Sequence, residues 1–137
     1  MRLRRGERGA AVVEFALVLP ILMMFVFGIL EFGRGYNARI ELTSAVRQGA
    51  RTAALFGTSC PILPATQNFT DCVTTSVRDG APGLTRSAIQ VTPTACPDAS
   101  TGTNARVVAT YPFRYDIPFV GRRQANLTAT GVMQCGG

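Results

Sequence analysis

The strongest feature of the hydrophobicity pattern is an apolar run near the N-terminus. Residues Ala10–Leu30 read AAVVEFALVLPILMMFVFGIL and contain one charge, Glu14. A helix needs about 20 mostly apolar residues to cross a bilayer, so the length of this run fits a membrane span. The run is apolar on every face, which suits lipid better than the surface of a small domain. The pattern therefore predicts a transmembrane helix over residues 10–33.

Three other interpretations compete for this run. A secretory signal peptide has a shorter apolar core and a small-x-small cleavage site after it. The nearest such triplet here, Gly33-Arg34-Gly35, has an arginine in the middle. An ordinary signal anchor without processing is compatible with the sequence. A buried core helix is disfavoured, because no charge interrupts the run from Phe15 to Leu30.

Helical periodicity continues beyond the apolar run. One face of the next segment carries apolar and small residues: Leu42, Ala45, Val46, Gly49, Ala50, Ala53 and Phe56. The other face carries Thr43, Arg47, Gln48, Arg51 and Thr52. This is the pattern of an amphipathic helix with a small-residue face. An unbroken helix from Ala10 to Phe56, ended by Gly57, would be about 70 Å long.

The C-terminal half alternates between apolar and polar positions. A short helix is predicted over Phe69–Arg78, and strands are predicted over Ser87–Thr92, Ala105–Phe113 and Gln124–Met133. In the last strand, Ala125, Leu127, Ala129 and Met133 share the inward face. One-sided alternation favours an antiparallel sheet with one covered face. We therefore expect an α+β fold in which the long N-terminal helix packs on a small antiparallel three-stranded sheet.

Charge orients the chain relative to the membrane. All 14 basic residues are arginines against 8 acidic residues, a formal net charge of +6. Four arginines lie in the segment 1–9 with only Glu7 against them, so this leader carries half of the net charge. A basic flank predicts that the N-terminus stays in the cytoplasm, and that residues 34–137 form an extracytoplasmic α+β domain. Membrane orientation also explains this cluster better than nucleic-acid binding does.

Composition argues against an enzyme. The chain has no histidine, which removes Ser-His-Asp and Cys-His catalysis and every histidine-containing metal site. The aspartates are scattered along predicted loops, so no pair of carboxylates can be assigned to acid–base catalysis. We expect no catalytic residues, no cofactor, no metal and no small-molecule substrate.

The four cysteines all follow the apolar run, and outside the cytoplasm they are expected to be oxidised. Four cysteines allow three pairings, and the sequence alone does not choose among them. We favour Cys60–Cys72, which closes a short loop after the long helix, and Cys96–Cys135, which ties down the C-terminal strand. A four-thiolate zinc site is the alternative, but the sequence has no C-x-x-C pair.

Glu14 is the anomaly of the apolar run. A carboxylate in a membrane helix costs a few kcal/mol, less near the end of the span. It could simply be an interfacial residue that reaches toward water. If the chain were cut after Gly9, however, Glu14 would be the fifth residue, and the new ammonium on Ala10 would lie about 6 Å away along the helix axis. The two opposite charges would stabilise each other in a low dielectric, within one subunit or between neighbours.

A short basic leader that ends in glycine, followed by an apolar helix with glutamate as its fifth residue, resembles a type IV prepilin. The string RRGERGAAVVEFALVLPILMMFVFGILEFGR, residues 4–34, more specifically resembles the TadE-like proteins, the minor pilins or pseudopilins of the Flp/Tad tight-adherence pilus. The helical region AVRQGARTAA, residues 45–54, continues the resemblance.

The resemblance implies a function for the N-terminal segment. A prepilin peptidase, which is a membrane aspartic protease, would cut between Gly9 and Ala10 and leave the apolar helix as an anchor. Pro20 would kink or loosen this helix, either as an ordinary membrane proline or as a flexible point for filament packing. The implied partners are the bacterial inner membrane, the peptidase and other pilus subunits. The alternative is a single-pass membrane-anchored binding or adhesion domain without pilin processing.

Overall fold

A computed structural model of the protein describes residues 5–56, 68–96, 103–117 and 121–135. In chain order these form helix α1 (Arg5–Phe56), helix α2 (Phe69–Asp79), a single 3-10 turn (Arg86–Ala88), and strands β1 (Gln90–Thr94), β2 (Asn104–Ile117) and β3 (Gly121–Gln134). The predicted α+β fold, a long N-terminal helix packed on a three-stranded antiparallel sheet, is confirmed.

Helix α1 spans 52 residues without interruption, which corresponds to about 78 Å. It ends at Phe56 as expected but begins at Arg5, so the helix includes part of the basic leader. Helical structure also continues through Pro20, Gly33 and Gly35. A bend of the axis at Pro20 stays a prediction. Gly57, the expected helix stop, lies outside the described residues.

The sheet has the order β1-β2-β3, with both pairs antiparallel. β1 begins three residues later than predicted, because residues 86–88 form the 3-10 turn. β2 extends four residues beyond the predicted end. The sequence around Pro112 argued for an earlier end, but β1 reaches only as far as Thr110. Beyond that point β2 has an open edge on this side, where proline's missing N–H costs no ladder hydrogen bond.

The core lies between the second half of α1, the inner face of the sheet and α2. Its largest fully buried side chains are Leu42, Val46, Val73, Val77, Ile89 and Val107. Those from α1 come from the stripe of apolar and small residues that the sequence predicted. Small residues such as Ala45 and Ala53 are also fully buried, so the backbone of α1 approaches its neighbours closely.

Two residues do not occupy the face expected from the pattern. Thr52 was expected on the polar side of α1 but is buried, because α2 packs there. Its hydroxyl donates to the carbonyl of Gln48 and lies 2.9 Å from the hydroxyl of Ser76 on α2, so its polar group is satisfied. Met133 was expected to face inward but is 39% exposed.

Strand β3 crosses α1 at a glycine. A Cβ on Gly131 would lie 2.6 Å from the carbonyl oxygen of Val46, closer than real Cβ contacts allow. We expect Gly131→Ala to force the sheet away from α1 and to lower the free energy of unfolding by about 1–3 kcal/mol, as overpacked cores do. Urea unfolding of the full chain in a mild detergent measures this change. Gly33→Ala is the matched control, since a Cβ there meets nothing within 4 Å; equal destabilisation by both variants would contradict the close crossing.

A disulfide joins the two edge strands at the end of the sheet opposite the β2–β3 turn. Cys96, just after β1, bonds to Cys135, just after β3, with 6.0 Å between their Cα atoms. The backbone N–H of Cys135 also donates to the carbonyl of Thr103 at 2.8 Å. Cys96 and Cys135 are thus bonded to each other and are not arranged as two ligands of the alternative four-thiolate zinc site. Cys60 lies outside the described residues, so the Cys60–Cys72 pairing stays a prediction.

Candidate functional site

The residues of the expected processing site lie on the exposed first part of α1. Gly9, Ala10 and Glu14 are all exposed and share one continuous helix. A Cβ at Gly9 would meet no atom within 4 Å. The carboxylate of Glu14 makes no hydrogen bond or ion pair with any residue that the structure describes. The site is therefore open to a protease or to another subunit, and its one acidic group is available for a cation.

The apolar part of α1 is left exposed by the residues that the structure describes. No residue in its most apolar 18-residue window is buried, and side chains on every face are exposed, including Phe15, Leu17, Phe25 and Ile29. This exposure argues against a buried core helix. Of the helices in the described ranges, α1 is the one that is long and apolar enough to cross a membrane, although a signal sequence would satisfy the same test.

A groove opens where α1 leaves its apolar segment and meets the sheet. It has a volume of about 580 Å³ and lies between the helix wall and the end of the β2–β3 hairpin. Its lining residues are Gly28, Glu31, Phe32, Gly35, Tyr36, Arg39, Phe113, Tyr115 and Leu127. The helix and the hairpin meet at Gly35, where a Cβ would lie 3.4 Å from the ring of Phe113. Glycine at this point lets the aromatic ring lie against the helix backbone.

Glu31 is the acidic group of this groove. One of its oxygens accepts a hydrogen bond from the guanidinium of Arg34 at 2.7 Å, one helical turn later. Its second oxygen is shielded from solvent and has no hydrogen-bond partner among the residues that the structure describes. The rings of Phe32 and Tyr36 stack beside it at a centroid distance of 6.4 Å. The groove therefore combines an aromatic wall with a neutralised carboxylate.

The comparisons with known proteins concern this same N-terminal part. Residues 9–51 match the family model described as TadE-like protein. The TadE-like resemblance is thereby confirmed for these residues, which make up less than half of the chain. It indicates a pilin-like protein, associated with the Tad pilus, that has an N-terminal apolar helix; such proteins are generally non-enzymatic. No curated protein and no solved structure matches the chain.

The TadE-like match starts at Gly9 and ends at Arg51, so it contains Glu14 and the helix wall of the groove. The hairpin wall lies outside the match. The aromatic segment Tyr111–Tyr115 of this wall extends past the strand end that the sequence predicted at Phe113. In the structure it continues β2, with Phe113 and Tyr115 facing α1. Alternation of Tyr111, Phe113 and Tyr115 was the available signal, but it did not reveal the partner of these rings.

Proposed function

We propose that this protein is a non-enzymatic minor pilin or pseudopilin of a Tad/Flp-type pilus, cut by a prepilin peptidase after Gly9. One observation carries the proposal: within the TadE-like segment, an exposed apolar helix presents a carboxylate, Glu14, that has no partner among the described residues and lies five residues after a glycine. A protein that is only anchored in the membrane needs the apolar surface of the helix but has no need for a carboxylate within it. An assembly subunit requires both, because its helix must pack and its charged terminus must find a partner.

Processing would create a positive charge on Ala10 that can pair with the carboxylate of Glu14. Hydrolysis of the Gly9–Ala10 peptide bond leaves a carboxylate on the leader and an ammonium on Ala10. The bond lies inside a helix, so the protease must unwind it, and glycine lowers the cost of leaving helical geometry. The new ammonium then lies about 6 Å from Glu14 along the helix axis. In a low dielectric, an unpaired charge is costly, which favours pairing within the subunit or with a neighbour.

The basic leader and the apolar helix also determine the proposed membrane topology of the chain. The basic leader keeps the N-terminus in the cytoplasm, and α1 crosses the bacterial inner membrane once. The head, from residue 34 onward, is extracytoplasmic, where the Cys96–Cys135 disulfide is stable. The partners are the membrane, the prepilin peptidase and other pilin or pseudopilin subunits.

The second candidate is a single-pass anchor for an extracytoplasmic binding or adhesion domain, without processing. The continuity of α1 from the leader into the apolar segment favours it, because an unprocessed signal anchor has no break at this point. The two candidates differ in the mature N-terminus. Mass spectrometry of the protein from its native membrane, with and without the peptidase, tests this. A product that starts at Ala10 only when the peptidase is present supports the pilin, an intact terminus supports the plain anchor, and a start near Tyr36 excludes both.

Glu14 provides a separate test of assembly. We expect Glu14→Gln to be processed normally but to enter the assembled subunit complex at least tenfold less, because breaking a shielded charge pair costs about 3 kcal/mol or more. Quantification of the subunit in sheared pilus fractions and in co-purified complexes measures the loss. Glu14→Asp keeps the carboxylate and is the matched control. Normal incorporation of Glu14→Gln would show that the carboxylate is only an interfacial residue.

A further inference from the structure

The β2–β3 hairpin runs along α1 toward the apolar segment. At one end, Gly131 crosses the helix at Val46. Farther along the hairpin, the ring of Phe113 lies at Gly35, and Tyr115 shares the groove with Gly28. Hairpin residues farther from Gly131 therefore lie beside residues nearer the N-terminus of α1. Since the uncharged run ends at Leu30, the end of the hairpin lies at the level where α1 leaves the membrane.

The side chains at this level have the chemistry of a membrane interface. Aromatic rings line both walls of the groove: Phe32 and Tyr36 on α1, and Phe113 and Tyr115 on β2. Phe32 is 76% exposed and Tyr36 is 60% exposed, so the helix wall is open. Amphipathic aromatic side chains are enriched at the headgroup level of membrane proteins, where one end of the ring is apolar and the other is wet.

Arginines surround these rings. Arg39 lines the groove, and Arg123 lies directly opposite Tyr115 in the strand register, on the same face of the sheet. Arg114 and Arg122 lie on the opposite face of the same hairpin end. The two nearby acids are already neutralised: Glu31 pairs with Arg34, and Asp116 pairs with Arg122 at 3.3 Å. Three arginines, Arg39, Arg114 and Arg123, thus give this end of the domain an excess positive charge.

We propose that the end of the β2–β3 hairpin and the groove behind it form a second membrane contact. The aromatic rings enter the headgroup region of the leaflet from which α1 emerges, and the arginines bind the phosphates of anionic lipids. This inference rests on the proposed function for the membrane-anchored α1, and it adds that the head lies against the bilayer before assembly. Anionic lipid is the occupant because the surface is positively charged. A second copy's apolar segment would bring only one carboxylate, Glu14, and would leave the arginines unpaired.

The absence of tryptophan from the sequence makes a direct test available. Each variant carries one tryptophan in the full chain, reconstituted in phosphatidylglycerol-containing vesicles with bromines near the headgroup end of the acyl chains. Tyr115→Trp reports on the hairpin, and Gln124→Trp is a second reporter at the same level, exposed and separate from the arginines and rings that make the contact. Phe25→Trp reports on the anchor, and Val132→Trp, exposed at the far end of β3, is the control.

We expect Tyr115→Trp, Gln124→Trp and Phe25→Trp to lose most of their emission in brominated vesicles, and Val132→Trp to lose little. Adding Arg39→Gln to Tyr115→Trp, or replacing phosphatidylglycerol by phosphatidylcholine, should reduce the quenching, with the docking equilibrium falling about fivefold per arginine removed. Quenching of Phe25→Trp without quenching at both hairpin positions would overturn the second contact and leave the anchor intact. If Phe25→Trp is not quenched either, the anchor fails as well. If the hairpin positions are not quenched by brominated lipid at a low protein-to-lipid ratio, and are shielded from an aqueous quencher only as that ratio rises, the surface belongs to a second copy and the lipid assignment is overturned.

Discussion

Replacing Gly9 with leucine is expected to leave the leader attached to the protein. The structure separates this effect from folding, because Gly9 is exposed and a Cβ there would meet nothing within 4 Å. Leucine also favours the helix by about 1 kcal/mol relative to glycine, so the peptide bond becomes harder to unwind. In a protease cleft the added side chain occupies space beside the scissile bond. Processing should therefore fall from nearly complete to undetectable, while the protein remains folded in the membrane.

The intact mass of the purified protein distinguishes the two states, since the precursor retains residues 1–9. Gly6→Leu is the matched control: it changes a glycine of the same leader three residues earlier and should be processed normally. An Ala10 terminus in the Gly9→Leu variant would contradict the assigned cleavage site. If Gly6→Leu were blocked as well, the effect would belong to the helicity of the whole leader and not to the residue before the cut.

Removing the Cys96–Cys135 disulfide is expected to produce the largest loss of stability. The two cysteines are 39 residues apart, and closing a loop of this length restricts the unfolded chain by about 4 kcal/mol. A domain of this size is stable by only about 5–15 kcal/mol, so the loss is a large fraction of the total. Both sulfurs are buried, which makes the double variant Cys96→Ala/Cys135→Ala preferable to serines because it buries no new hydroxyl. Urea unfolding of the full chain in detergent should show a midpoint lowered accordingly.

Met133→Ala is the control for the disulfide variant, because Met133 lies two residues before Cys135 and is partly exposed. We expect it to change the free energy of unfolding by no more than about 0.5 kcal/mol. A double variant that unfolds at the same urea concentration as the parent would show that the pairing of β2 with β3 already holds the end of the sheet.

The elements that could be predicted from the sequence are those whose pattern is local. The apolar run and the small-residue stripe each repeat over several helical turns, so α1 was predicted with its correct end at Phe56. The start of β1 was harder to predict, because residues 86–88 form a 3-10 turn and their sequence, Arg-Ser-Ala, contains no apolar alternation that would mark the boundary. The length of β2 depended on its neighbour. Pro112 is compatible with a strand only because β1 does not extend beside it.

The candidate site also has a part that follows from local sequence and a part that depends on tertiary structure. Gly9, Ala10 and Glu14 are close in sequence, so their relation to one another on a helix could be calculated from helical geometry alone. The groove could not be predicted from the sequence. Its walls come from residues 28–39 and 113–127, and only the packing of the sheet against α1 brings them together. The burial of Thr52 has the same origin: helical periodicity placed it on the polar side, but the position of α2 decided its environment.

The sequence by itself determined the membrane-compatible helix, its basic flank, the TadE-like segment and the α+β composition of the domain, because each depends on periodicity and charge within one stretch of chain. Tertiary structure decided where β3 crosses α1, how far the hairpin reaches toward the apolar segment of α1, and the approach of Cys96 to Cys135. These depend on contacts between residues distant in the chain. Steric fit and backbone hydrogen bonding select such contacts, and no local pattern encodes them.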